Sequence, residues 1–257
     1  MTGIHELTSY TDELLETAGT PDYPAALNGL QLENRSGVKG IAAAVDFSTR
    51  AIKGAIEAAA NLLIVHHGMF WSGFDQIRGP SYERLRLLIE NDIAVYSSHL
   101  PLDRHPTFGN NVLLAKALGL TPTGAFAQYD DIFIGVSGES DIETAVVAEN
   151  ARQFASTYSS EVRLTPLAPH QRTRKWAMCT GAGASSDTLK EAARKKIDTL
   201  IVGEGPHHTA VQAEETGITI IYAGHYATET LGVRALAKHL GEKYGVPSTF
   251  VNAPTGL

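Results

Sequence analysis

The chain contains ten histidines, and six of them (His66, His67, His99, His207, His208 and His225) fall in four short motifs. These are VHHGMFW at 65–71, YSSHLPLD at 96–103, GEGPHHTA at 203–210 and YAGHYATE at 222–229. Two of them share a phrase. Tyr96, two small residues and His99 are followed four residues on by Asp103, and Tyr222, two small residues and His225 are followed four residues on by Glu229. Imidazole and carboxylate together form a donor set for first-row divalent metals, and several of each point to more than one ion. Successive side chains of a regular strand point to opposite faces, so His66 and His67 serve two neighbouring ions more easily than one. A carboxylate shared by two ions offsets their repulsion and holds them roughly 3.5–4 Å apart. Glu229 suits that position, because a helical start after His225 stacks the two side chains at i, i+4. Asp103 is then a terminal ligand. Pro101 is expected to prevent a helix through His99 to Asp103, which leaves His99 open to three roles: ligand, orienter of a ligand, or general acid/base.

Other motifs carry weaker signals. CTGAGASS at 179–186 has the glycines to cradle an anion but lacks the GK[ST] ending of a phosphate-binding loop, and it reads equally as a tight strand-to-helix turn. Cys179 is expected to be a buried, inert thiol. The basic run HQRTRK at 170–175 could meet a substrate phosphate or be a solvated loop. Glu204, His207 and His208 hold the second-half position matching the His66/His67 pair, either lining a pocket or simply opening a helix.

These motifs need strand ends to position them. Apolar, β-branched runs are expected as strands near 41–45, 62–65, 93–96, 132–136, 176–178, 199–202 and 218–222. Helical periodicity is expected over 48–60, 82–91, 110–118, 141–154, 187–196, 207–216 and 228–244. Ser48 and Ser186 are expected as N-caps, with Gly19 and Gly119 closing helices. Alternating strands and helices mean α/β, and the polar motifs fall at strand carboxyl ends, where open α/β sheets place ligands. TPTGAF at 121–126 interrupts the pattern and is the expected boundary between residues 1–123 and 124–257, with the C-terminal segment free to pack back on the first part. The recurrence of the Tyr–His–carboxylate phrase after the third strand of each half points to an internal duplication.

Composition sets the outer limits. With 43% apolar and 19% charged residues the chain is an ordinary globular one, and 21 Lys and Arg against 28 Asp and Glu give a net charge of −7. Such a charge disfavours nucleic acid as a partner. A single cysteine permits no intramolecular disulfide. No apolar stretch reaches the roughly 18 residues of a spanning helix, and no export signal opens the chain, so a cytoplasmic location without membrane contact is expected.

VHHGMFW, SSHLPLD, the GE pair at 203–204 and GHYATE, together with NGLQL at 28–32 and CTGAGASS, resemble the Nif-three-like dinuclear metal-centre proteins, commonly called GTP cyclohydrolase I type 2-like. The resemblance spans nearly the whole chain in order. It implies two similar intertwined α/β repeats and a homohexameric ring with dinuclear sites facing an internal cavity. It also implies a ligand set: His66 and Asp103 on one ion, His67 and His225 on the other, and Glu229 bridging. The ions would be two divalent metals per subunit (Zn, Mn, Fe, Co or Ni). Val202 stands where the family usually has Thr before GE, a small departure from its pattern.

Two functions follow. In the first, the chain is a hydrolase that uses a metal-activated hydroxide on a nucleotide or related small substrate, with His99 moving the proton. In the second, it is a non-enzymatic metal-binding or regulatory ring that engages protein partners. Five ligands shared between two ions leave open coordination positions, which favours catalysis. Nothing in the sequence reads guanine.

Overall fold

The computed structural model describes residues 2–73 and 76–256. In chain order the elements are α1 (Ile4–Leu14), β1 (Gly29–Leu32), β2 (Ile41–Asp46), α2 (Thr49–Glu57), β3 (Leu62–His67), α3 (Pro80–Glu90), β4 (Ala94–Ser97), α4 (Leu100–Asp103) and α5 (Asn110–Ala117). There follow β5 (Gly124–Tyr129), β6 (Ile132–Glu143), α6 (Thr144–Ser156), β7 (Arg163–Leu164), β8 (Arg172–Cys179), α7 (Ser186–Lys195) and β9 (Thr199–Val202). The chain closes with α8 (His207–Thr216), β10 (Thr219–Tyr222), α9 (His225–Thr228), α10 (Thr230–Tyr244) and β11 (Ser248–Phe250).

Two compact units result. Unit 1 comprises the residues up to Leu102 together with Gly232–Ala253, and unit 2 comprises Asp103–Leu231 with the tail from Pro254. The division falls at Leu102 and not in TPTGAF, whose Gly124, Ala125 and Phe126 instead open β5 inside unit 2. Chain composition marked the wrong point because a Pro- and Gly-containing turn can open a strand as readily as it can link domains.

Unit 1 is built on the strand order β1-β4-β3-β2-β11, with β2, β3 and β4 parallel. Ala42, Ala43 and Ala44 of β2 and Leu63, Ile64 and Val65 of β3 are all fully buried, so the apolar run is unbroken instead of alternating, as in a sheet covered on both faces. Ser48 caps α2 by accepting from the Ala51 N–H, worth about 1 kcal/mol. Residues 248–250 return from the far end of the sequence and pair in parallel with 41–43 of β2. Gly54 is required there, because a Cβ would stand 2.3 Å from Val251 Cγ1.

Unit 2 has the order β5-β6-β8-β9-β10-β7, with β8, β9 and β10 parallel and β7 antiparallel to β10. Alternate residues of β9 face opposite sides: Leu200 and Val202 join Phe126, Leu189 and Ile220, while Ile201 joins Trp176, Val147 and Leu114. Both units thus run strand, helix, strand, helix, strand in a parallel core with an antiparallel edge strand beside the third strand. They are two similar α/β repeats.

Several expected boundaries shift. The strand carrying His66 and His67 runs through both residues as part of β3. Residues 141–143 belong to β6, where pairing with 172–173 of β8 overrides the helical pattern. The N-cap of α7 is Ser185, which exchanges hydrogen bonds with Thr188 in a capping box, and not Ser186. Gly19 lies in a 3-10 turn, since α1 stops at Leu14. Pro101 does not prevent a helix: it sits in the first turn of α4, where its missing N–H is not needed. The helix expected over 228–244 breaks at Glu229 into α9 and α10. Strands β1, β5, β7 and β11 carry no run of the expected kind; all four are edge strands whose pairing is set by the neighbour.

Candidate metal centre

In unit 1 three histidines gather where β3 and β4 end. His66 and His67 are the last residues of β3, and His99 follows β4 by two residues. All three are buried, their ring centroids lie 4.9 Å (His66 to His67), 4.9 Å (His66 to His99) and 5.6 Å (His67 to His99) apart, and one ligand atom from each falls within 4.8 Å of the others. The expected separation of His66 from His67 is therefore not seen. At the last residues of a strand both side chains can fold over the sheet's open edge, so alternation no longer keeps them apart.

Each ring is anchored through Nδ1. His66 Nδ1 donates to the Ser98 carbonyl at 2.9 Å, His67 Nδ1 to Asp46 Oδ1 at 2.9 Å, and His99 Nδ1 to Asp22 Oδ1 at 2.8 Å. Carbonyl and ionised carboxylate oxygens only accept, so the proton of each neutral ring sits on Nδ1 and the Nε2 lone pair is presented. Parallel register places Asp46 of β2 directly beside His67 of β3. Asp22 accepts three further bonds, from the N–H groups of Tyr23 and Leu100 and from Asn28 Nδ2. Burial alone would raise its pKa, but the hydrogen bond and charge of His99, with Asn28 and Leu100, outweigh it and hold the carboxyl below its ordinary value. The NGLQL motif serves this construction. Asn28 Oδ1 accepts from the His99 N–H at 2.8 Å, and Gln31 Oε1 accepts from the Met69 N–H at 2.6 Å, just beyond the histidine pair. Trp71 packs on His67 and His99, with centroids at 4.7 and 4.6 Å.

In unit 2, Gly224 with φ 91° turns the chain into α9, whose first residue is His225. His225 lies between two carboxylates: Nδ1 donates to Glu204 Oε1 at 2.8 Å, and Nε2 stands 3.2 Å from Glu229 Oε2 at the i+4 position. Burial disfavours the charged imidazolium, yet Glu229 and Glu204 prevail and raise the His225 pKa to about 9. A point with such a preference for positive charge suits a cation. Glu229 is 3% exposed and approaches the backbone of Gly181 so closely that a Cβ there would lie 2.0 Å from its Oε1. Asp103, also buried, is fixed by Asn110 Nδ2 at 2.8 Å. Both Asp103 and Glu229 act on Cys179, whose thiol is pushed far above its ordinary pKa first by burial and then by these carboxylates, so it is no nucleophile.

The remaining motifs resolve as follows. CTGAGASS is a strand-to-helix turn: a Cβ on Gly183 would meet the Cys179 carbonyl at 2.0 Å, and Ser185 caps α7. HQRTRK joins β8, where Arg172 and Arg174 pair with Asp141 and Lys175 with Glu139 across to β6. Glu204 orients His225, His207 lines a cavity at the start of α8, and His208 lies 3.5 Å from Ser186 Oγ. Reading the sequence missed Asp22 and Asp46. Asp46 had a signal, a carboxylate closing the apolar run IAAAVD at a strand's carboxyl end; Asp22 had none.

Imidazole nitrogens with anchored Nδ1 atoms, beside buried carboxylates, fit divalent first-row metals by donor chemistry. Among the described residues no helix is long and apolar enough to cross a membrane.

The profile of the family described as Duf34/NIF3 (NGG1p interacting factor 3) matches residues 2–255. A Deinococcus radiodurans protein described as GTP cyclohydrolase 1 type 2 homolog is 38% identical over 255 residues, covering 99% of this chain and 95% of its own. A Pyrococcus horikoshii protein of the same description is 41% identical over 252 residues, covering 98% of each. The solved structure described as protein ybgI, of unknown function, superposes with a TM-score of 0.88 at 34% identity over 100% of both chains. With a family match from end to end and full-length relatives that share the fold, the chain belongs to the Duf34/NIF3 family.

Proposed function

We propose that the protein is a divalent-metal-dependent hydrolase acting on a nucleotide or a related small substrate. Two ions per chain would be held by His66 and Asp103, by His67 and His225, and by Glu229 shared between them. The observation that carries this reading is the anchoring of Nδ1 in every histidine assigned as a ligand, by Ser98, Asp46 and Glu204, which is how metal-binding imidazoles are oriented and made more basic. The description of the relatives as GTP cyclohydrolase 1 type 2 homologs supports a nucleotide as the substrate class.

When bound, the ions would acidify a water and polarise the group under attack. The chain's own residues do the rest. His99 presents Nε2 for proton transfer while Asp22 fixes its tautomer and ring orientation, the division of labour of an Asp–His pair in general acid/base catalysis. Trp71 and Tyr23 pack against the His99 ring and limit water around it.

The test is a turnover screen of metal-loaded protein against nucleotides, phosphoesters and amides, with elemental analysis alongside. His99→Asn should keep its metal and lose on the order of a hundredfold or more in rate. No turnover above the metal ions alone would overturn the hydrolase reading in favour of a regulatory metal-binding ring. We also propose the homohexamer of the family ring; light scattering should give a mass near six chains, and a stable monomer would overturn it.

A further inference from the structure

Strand register lets the two repeats be laid on one another. Ile64 of β3 pairs with Tyr96 of β4 in unit 1, and Val202 of β9 with Tyr222 of β10 in unit 2. Counting on from these pairs, His66 corresponds to Glu204 and His99 to His225. In unit 1 the space beyond the strand ends is filled by the packed rings of His66, His99, Trp71 and Tyr23. In unit 2 the same region opens into a cavity of about 460 Å³, lined in part by Glu161, Arg163, Leu164, Glu204, His207 and Tyr222.

The wall determines what fits. Arg163, 77% exposed and paired with Glu161 at 2.9 Å, places its charge at the solvent rim of the cavity and not in its wall. Glu204 uses Oε1 to hold His225, but its side chain is 46% exposed and its carboxylate can accept further hydrogen bonds. The Tyr222 hydroxyl lies 3.0 Å from Thr209 Oγ1, which leaves the ring face, with Leu164, as the apolar part of the wall. The volume is that of a small-molecule site, and strand carboxyl ends are where α/β sheets bind ligands.

We infer that this cavity binds a small planar heterocycle carrying N–H donors, its amino edge on Glu204 and its ring against Tyr222. Because Glu204 also orients His225, the occupant acts on that imidazole through one shared carboxylate. The inference does not depend on hydrolysis, since binding is measured without turnover.

The experiment titrates the full chain, as purified and again after chelation, with 2-aminopurine by fluorescence, using unsubstituted purine and inorganic phosphate in parallel. 2-Aminopurine should bind at least tenfold more tightly than purine in both preparations, and phosphate should not displace it. Glu204→Gln should weaken binding tenfold or more. Ala210→Trp, which fills the cavity from α8, should abolish binding with melting temperature and metal content unchanged; Leu164→Phe replaces it should that variant not fold. Equal affinity for purine, displacement by phosphate, or binding undiminished in the filled variant would overturn the assignment.

Discussion

Asp22→Asn isolates the support beneath His99. The wild-type carboxylate accepts from the Tyr23 N–H (2.7 Å), Asn28 Nδ2 (2.8 Å), His99 Nδ1 (2.8 Å) and the Leu100 N–H (2.9 Å), two bonds to each oxygen. An asparagine has one acceptor oxygen, so two of these donors would face an NH₂ group instead. At roughly 1–3 kcal/mol for each buried donor left unsatisfied, and less for the exposed Tyr23 N–H, the variant should lose about 1–6 kcal/mol. If the amide nitrogen turns towards His99, the ring must also switch tautomer and carry its proton on Nε2. The pH dependence follows from the depressed Asp22 pKa. A carboxyl whose folded pKa lies below its unfolded value near 3.9 contributes fully above that value, and the contribution is lost as pH falls through the folded pKa. The stability gap between wild type and Asp22→Asn, measured by chemical denaturation of metal-free protein, should be full at pH 7 and shrink below about pH 4. Long-range nitrogen–proton NMR reports the His99 tautomer in the same samples. A gap that does not change with pH, or a loss well under 1 kcal/mol, would refute the reasoning.

Gly181→Ala places a Cβ at 2.0 Å from Glu229 Oε1 and imposes a side chain on a residue with φ +61°, so metal content should fall and stability drop by about 1–3 kcal/mol, checked by elemental analysis and melting. Glu229→Gln should lower the occupancy of both proposed ions, whereas His66→Ala or Asp103→Ala should mainly empty one; retention of one full equivalent in Glu229→Gln would end the bridging assignment. Ser185→Ala removes the capping box of α7 and should cost about 1 kcal/mol in chemical denaturation without changing metal content.

The sequence by itself determined the α/β class, the strands of the two parallel cores and the two Tyr–His phrases at their ends. Those features are written locally: an unbroken apolar run such as Leu62–Val65 marks a strand covered on both sides, and His225 and Glu229 meet because four residues of helix bring them together. The i, i+4 spacing is enough to state that contact in advance. What only the tertiary structure decided is the company each histidine keeps. Asp22 reaches His99 across 77 residues, and Asp46 reaches His67 and Glu204 reaches His225 across 21 each. The same holds for β11, which becomes a strand because β2 offers it an open edge. It holds too for the division at Leu102, which depends on Gly232–Ala253 returning to unit 1. A contact between distant residues depends on how loops close and sheets order themselves, and no periodicity or spacing in the chain encodes that geometry.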